Sequence, residues 1–207
     1  MEPNIRILYE DSDVLCCVKP AGILSQAAPG GEATILTYLE AQTGSPVYPV
    51  HRLDRQTGGV MVFAKTKEAA ASLSAQAASR TLEKRYCALV HGNVEPAEGE
   101  LEDLLFKDAR TNKVFVVSRE RKGVRKAKLH YVVENFDGVV SRVGILLDTG
   151  RTHQIRVQFA SRRHPVVGDR RYGAKDDSAG LCLWSRSVAF CHPVTGVRMQ
   201  FAEKEPF

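Results

Sequence analysis

No apolar run in this sequence approaches the ~20 residues that a membrane span needs, and stretches such as residues 60–64 and 14–18 end after five. The first nine residues carry acids and lack a basic segment followed by an apolar one, so no signal peptide is expected. No C-x-x-C pair occurs among Cys16, Cys17, Cys87, Cys182 and Cys191. Their number is odd and most sit in apolar, strand-like stretches, so a disulfide framework is not expected. No repeat, low-complexity tract or Pro/Gly/Ser-rich linker divides the 207 residues, which predicts one domain over 1–207. A soluble, cytoplasmic monomer is the corresponding expectation. Basic residues are scarce at the start: residues 1–50 hold 2 against 6 acids.

The positive charge lies further on. Residues 51–207 contain 27 basic and 18 acidic side chains, and the whole chain carries +5. Residues 107–128 hold nine cations against Asp108 and Glu120, and residues 151–172 hold six arginines against Asp169. Clustered cations suit a polyanion such as nucleic acid; a solvated basic face is the plainer alternative. With 43% hydrophobic residues the chain can bury a core.

The apolar pattern predicts strands at residues 5–9 and 14–18 around Asp11-Ser12-Asp13, and Lys19-Pro20-Ala21-Gly22 stops the second. Residues 34–41 read as a helix capped by Thr34, and residues 66–79 as an Ala/Ser-rich helix. Residues 59–64 read as a buried strand and residues 85–91 as another. Residues 126–134 and 139–147 form a hairpin pattern, as do 181–191 and 197–202. A helix opened by Thr152 is predicted over 152–162. Strands outnumber helices and neighbours are hairpin-linked, so the fold class is α+β, on a mixed, mostly antiparallel sheet with flanking helices.

Two segments concentrate chemistry. In His51-Arg52-Leu53-Asp54-Arg55-Gln56-Thr57-Gly58-Gly59 a lone carboxylate sits among cations before a buried strand. Nearby arginine favours the ionised form, which can serve as nucleophile or general base; a surface ion pair is the commoner use of such a residue. In Gly150-Arg151-Thr152-His153-Gln154-Ile155-Arg156 a helix start and an arginine together attract an anion. A buried Arg156 needs a carboxylate partner, for which Asp54 is a candidate. Tyr86, at the start of a strand, can stack on a base or pack in a core.

The ordered set of motifs resembles the RluA family of RNA pseudouridine synthases. Lys19-Pro20-Ala21-Gly22, His51-Arg52-Leu53-Asp54 with Thr57 and Gly59, Lys84-Arg85-Tyr86-Cys87-Ala88, Gly150–Arg156, and His164-Pro165 with Gly168-Asp169 and Tyr172 follow the family's order. The resemblance runs from about Ile5 to Phe201. It implies a synthase-type catalytic domain with a central cleft that turns uridine in ribosomal or transfer RNA into pseudouridine, with neither cofactor nor metal. It implies Asp54 as the essential aspartate, Arg156 as its pairing arginine and Tyr86 as the residue packed on the target base. Arg52 aligns with the arginine that enters the RNA; His51, Arg151, His153 and Gln154 are the further candidate RNA contacts in the two chemical segments. Two positions depart from the pattern: Gly58 replaces the usual serine, and Arg163 stands where glycine is common. Many members also begin with a small basic RNA-binding domain, and the residues before Lys19 here are acidic. A non-catalytic RNA-binding module would not need Asp54, Tyr86 and Arg156 together. A metal-dependent hydrolase built on His51, Asp54 and His153 lacks a metal-binding spacing. A Cys/His hydrolase lacks an activated cysteine.

Overall fold

The structure, a computed structural model, describes residues 4–27 and 30–207. In chain order the elements are β1 (Arg6–Glu10), β2 (Val14–Lys19), α1 (Ile35–Thr43), β3 (Tyr48–Pro49), β4 (Gly58–Ala64), α2 (Lys67–Ser79), β5 (Glu83–His91), β6 (Glu98–Asp108), β7 (Lys113–Val117), β8 (Val124–Phe136), β9 (Val140–Leu147), α3 (Gln154–Ser161), β10 (Leu183–Cys191) and β11 (Arg198–Ala202). The class is α+β, with three helices on mixed sheet. The chain forms two compact units, residues 1–85 with 184–207, and residues 86–183. The first boundary falls inside β5, and neither boundary carries a Pro/Gly/Ser-rich linker.

In the first unit the order is β1-β2-β4-β10-β11, with β3 also on β4. Pairing is antiparallel except for β10, which runs parallel to β4. All seven residues of β4 are buried, as its unbroken apolar run requires. Val60 and Val62 meet Ala69 and Leu73 of α2, Val14 and Cys16 of β2, and Val188 and Phe190 of β10. Each such side chain contributes about 1.5–3 kcal/mol when fully buried. Both helices begin as the sequence indicates. Thr34 caps α1 in a reciprocal bond pattern with Thr37, and the Thr66 hydroxyl accepts the Ala69 amide at α2. The Asp11 turn is closed by its own carboxylate, which accepts the Asp13 and Val14 amides at 2.8 Å each.

In the second unit the antiparallel order is β9-β8-β6-β7. Leu105, Val114 and Ala127 pack on Val157 of α3. Strands β6 and β7 have no counterpart in the sequence reading; in β6 charged residues thin the apolar signal, with Leu101 and Leu105 buried while Glu98, Glu100 and Glu102 are exposed, and β7 is only five residues long.

The start of α3 also differs from expectation. Thr152 does not cap it; His153 precedes the helix with φ +52° and makes no side-chain cap. The Gln154 side chain holds the turn instead. Its Oε1 accepts the Arg151 amide at 3.0 Å and the Thr149 hydroxyl at 2.7 Å, and its Nε2 donates to the Lys128 carbonyl at 3.0 Å. At the far end Arg163 adopts φ +68°, the left-handed conformation that glycine would supply. The turn therefore keeps the glycine geometry with an arginine in it, at about 1–2 kcal/mol of strain. Arg163→Gly should raise the unfolding free energy by about 1 kcal/mol, read by denaturant titration; an unchanged or lower midpoint would show that the turn carries no such strain.

Candidate active site

The Asp54 loop is fastened to the Lys19-Pro20-Ala21-Gly22 turn, and both belong to the first unit. Lys19 is fully buried. Its ammonium donates to the carbonyls of Pro20 and Ile23 at 2.8 Å and to that of Arg55 at 3.2 Å. A buried charge requires such acceptors. The Gly22 amide donates to the Arg55 carbonyl at 2.7 Å, and Arg55 Nε donates back to the Gly22 carbonyl at 3.0 Å. On the other side of Asp54, the Ser25 hydroxyl donates to the Leu53 carbonyl and accepts the Leu53 amide. The Thr57 amide closes the Asp54 turn on the Asp54 carbonyl at 3.0 Å. Asp54 thus sits in a four-residue turn gripped on both flanks, itself partly exposed. Burial pushes the Lys19 pKa down to about 8, and the Asp54 carboxylate pulls it the other way.

The neighbours of Asp54 divide between solvent and interior. Arg52 is exposed; Arg55 is exposed too and pairs with Glu32 at 3.0 Å. His51, expected at the RNA, turns inward: its Nε2 accepts the Val62 amide of β4 at 3.1 Å. That bond places the imidazole proton on Nδ1, which is buried with no partner among the described residues. Burial, with the Lys84 ammonium adding to it, pushes the His51 pKa down to about 3, so the ring is neutral.

In the second unit, Arg156 is 7% exposed and Asp169 2%. Arg156 Nε donates to Asp169 Oδ2 at 2.6 Å and Nη2 donates to Oδ1 at 2.9 Å, a bidentate fork. The guanidinium also lies 5.1 Å from the Tyr172 ring centroid. Tyr172 accepts the Val114 amide at 3.0 Å and shares a hydrogen bond with His153 Nδ1, 2.8 Å away. Behind this group, Gly168 has φ +80° and a Cβ there would collide with the Gly180 backbone. The Gly168 amide donates to Asp176, which also bonds His91 at 2.6 Å. Desolvation raises the Asp176 pKa, but the bonds from Gly168, His91 and Ser178 outweigh it and hold the value at about 2. The Gly168-Asp169-x-x-Tyr172 motif therefore fixes the arginine of the Gly150–Arg156 motif.

The other expected contacts separate in the same way. Tyr86 is 5% exposed. Gln154 is 3% exposed and its amide is occupied by the turn it holds, which makes it a structural residue rather than a surface contact. Arg151 is exposed, with Nε on the Lys126 carbonyl at 3.0 Å. Asp169 and Lys19 are the functional supports that residue-by-residue reading missed. Asp169 left a signal, being the one acid among six arginines over 151–172. Lys19 left none beyond its motif, because composition does not reveal that a lysine is buried.

Comparison with known proteins sets this geometry in a class. Residues 13–161 match the RNA pseudouridylate synthase family. The chain is 32% identical to the dual-specificity RNA pseudouridine synthase RluA of Haemophilus influenzae, over 100% of this chain and 96% of that one. It is 33% identical to the ribosomal large subunit pseudouridine synthase C of Buchnera aphidicola, over 92% of this chain and 64% of that one. Among solved structures it resembles human RNA Pseudouridylate Synthase Domain Containing 1 at a TM-score of 0.82 and 25% identity, covering 100% of this chain and 87% of the other. These matches define an RNA-modifying isomerase. The chain belongs to the RluA family of RNA pseudouridine synthases.

Lys19→Met should lower stability by about 3 kcal/mol, since it leaves buried carbonyls without donors. The pH dependence gives a sharper signature. The folded protein releases the Lys19 proton near 8 and the unfolded chain near 10.5, so the unfolded state binds more protons between them. Wild-type stability therefore rises with pH across that window relative to Lys19→Met. Parallel stability curves for the two proteins from pH 7.5 to 10.5 would contradict the buried ammonium.

Proposed function

We propose that this synthase isomerises specific uridines in ribosomal or transfer RNA, with Asp54 acting on the target nucleoside and Tyr86 and Arg156 completing the catalytic set. The observation that carries the reading is the Asp54 turn, whose carboxylate is presented by a loop locked through Lys19, Gly22 and Ser25 within the family's ordered motifs. The Haemophilus and Buchnera relatives supply the substrate class by their names, one dual-specificity and one of the ribosomal large subunit.

In the proposed reaction the N1–C1′ bond of uridine breaks, the uracil turns, and C5 bonds to C1′. The proton lost from C5 is balanced by one gained at N1, so the nucleoside is an isomer of the substrate. The target base leaves the stack before its sugar can be reached, at a few kcal/mol. Contacts between the exposed cations and phosphates offset that cost. Three routes begin from the ionised Asp54: attack at C1′, removal of the C2′ proton, and addition at C6. Arg156, already planar and oriented by Asp169, holds the carboxylate charged and aimed. Tyr86 supports the ring while it rotates. Arg52 and Arg151, both exposed, contact the RNA, and His153 orients through Tyr172.

Asp54→Asn should abolish pseudouridine formation while RNA affinity stays within about threefold, because neutralising the carboxylate removes the reacting group and not the phosphate contacts. Nucleoside analysis after digestion, beside a filter-binding titration, reads both, and normal product from this variant would refute the assignment. Arg156→Lys should slow the single-turnover step by at least about tenfold, since a point charge replaces a planar fork. An unchanged rate constant would remove Arg156 from the mechanism.

A further inference from the structure

We propose that Trp184 is the positioning residue for the Asp54 loop, filling from behind the place where the family usually carries a serine at position 58; the proposal rests on Asp54 as the reacting carboxylate. Trp184 is the single tryptophan of the chain. It begins the β10 register against β4, opposite Gly58, with Ser185 opposite Gly59. A Cβ built on Gly58 would lie 2.9 Å from Trp184 Cε3, closer still to Cζ3, and 3.1 Å from the Lys19 carbonyl. The indole therefore occupies the volume of a side chain at 58, and the backbone there is enclosed between the ring and β2. The ring has little freedom to retreat, because its Nε1 donates to the Glu203 carbonyl at 3.3 Å. On the next residue the Ser185 hydroxyl donates to the Val60 carbonyl at 2.8 Å, which locks β10 onto β4 at this level.

Position 58 immediately follows the turn that the Thr57 amide closes on Asp54. A shift at Gly58 is thus passed to Asp54 through four residues whose other flank is held by Lys19. At Thr57 and Gly58 no side-chain hydrogen bond fastens the loop: the Thr57 hydroxyl is buried without a hydrogen-bond partner among the described residues, and Gly58 has no side chain. Packing by the indole replaces it. Gly58 and Trp184 form a complementary pair, and neither can change alone without moving the loop.

The test is a double-variant cycle with three readouts: single-turnover rate and RNA affinity, thermal midpoint, and Trp184 fluorescence. Trp184→Ala should slow the chemical step about tenfold or more with RNA affinity changed less than about threefold, as small misplacements of a reacting group cost that much. Gly58→Ser should shift the Trp184 emission and lower the thermal midpoint, because the ring is forced off its site. Combining Gly58→Ser with Trp184→Ala should recover part of both losses, a coupling that independent sites do not show. Additive effects, or an emission spectrum unmoved by Gly58→Ser, would overturn the proposal. A Trp184→Ala rate equal to wild type would overturn it as well. If the wild type formed no pseudouridine in any RNA, the synthase reading would fail, while emission and melting would still decide the coupling.

Discussion

A charged lysine with no exposed surface dictates the arrangement of the Asp54 loop. The Lys19 ammonium can be buried only if oxygen atoms surround it, and the oxygens come from its own turn and from Arg55, 36 residues away. Meeting that demand brings the Asp54 turn against the end of β2. Backbone bonds at Leu53, Arg55 and Thr57 then fix the turn that carries Asp54. In the proposed reaction, preorganisation of this kind serves a single carboxylate acting on a weakly reactive nucleoside.

A second buried cation follows the same logic in the other unit. Arg156 is enclosed by Asp169 and the ring of Tyr172, and Tyr172 is in turn held by Val114 and His153. Removing one member of a buried ion pair costs about 3–5 kcal/mol, because the partner charge is left uncompensated. The motif that follows α3 is therefore a support for the arginine at its start. Both units bury a cation among acceptors, and each carries an exposed arginine, Arg52 in the first and Arg151 in the second.

Much of this was legible in the sequence. Thr34 marked a helix start because a hydroxyl there has one good use, and the apolar run through Val60–Ala64 could only be a buried strand. The order of the motifs indicated the family. Strand β6 was hidden because its outward residues are charged and dilute the apolar alternation, and β7 because it is only five residues long. Thr152 was a plausible cap by type, but the Gln154 amide reaches more partners and displaces it. Spacing alone did not single out the carboxylate that forks onto Arg156 from 13 residues away, Asp169. Packing was the least legible layer. Nothing in the sequence announced that the indole of Trp184 fills the side-chain volume missing at Gly58.

The central claim is that this chain isomerises uridine in RNA with its own side chains. It is tested most directly by following tritium released from C5-labelled uridine in RNA, incubated with the purified protein in excess chelator. The account predicts release that tracks pseudouridine formation, one tritium for each uridine converted. Absence of release from every cellular RNA offered, or release that requires an added metal ion, would contradict it.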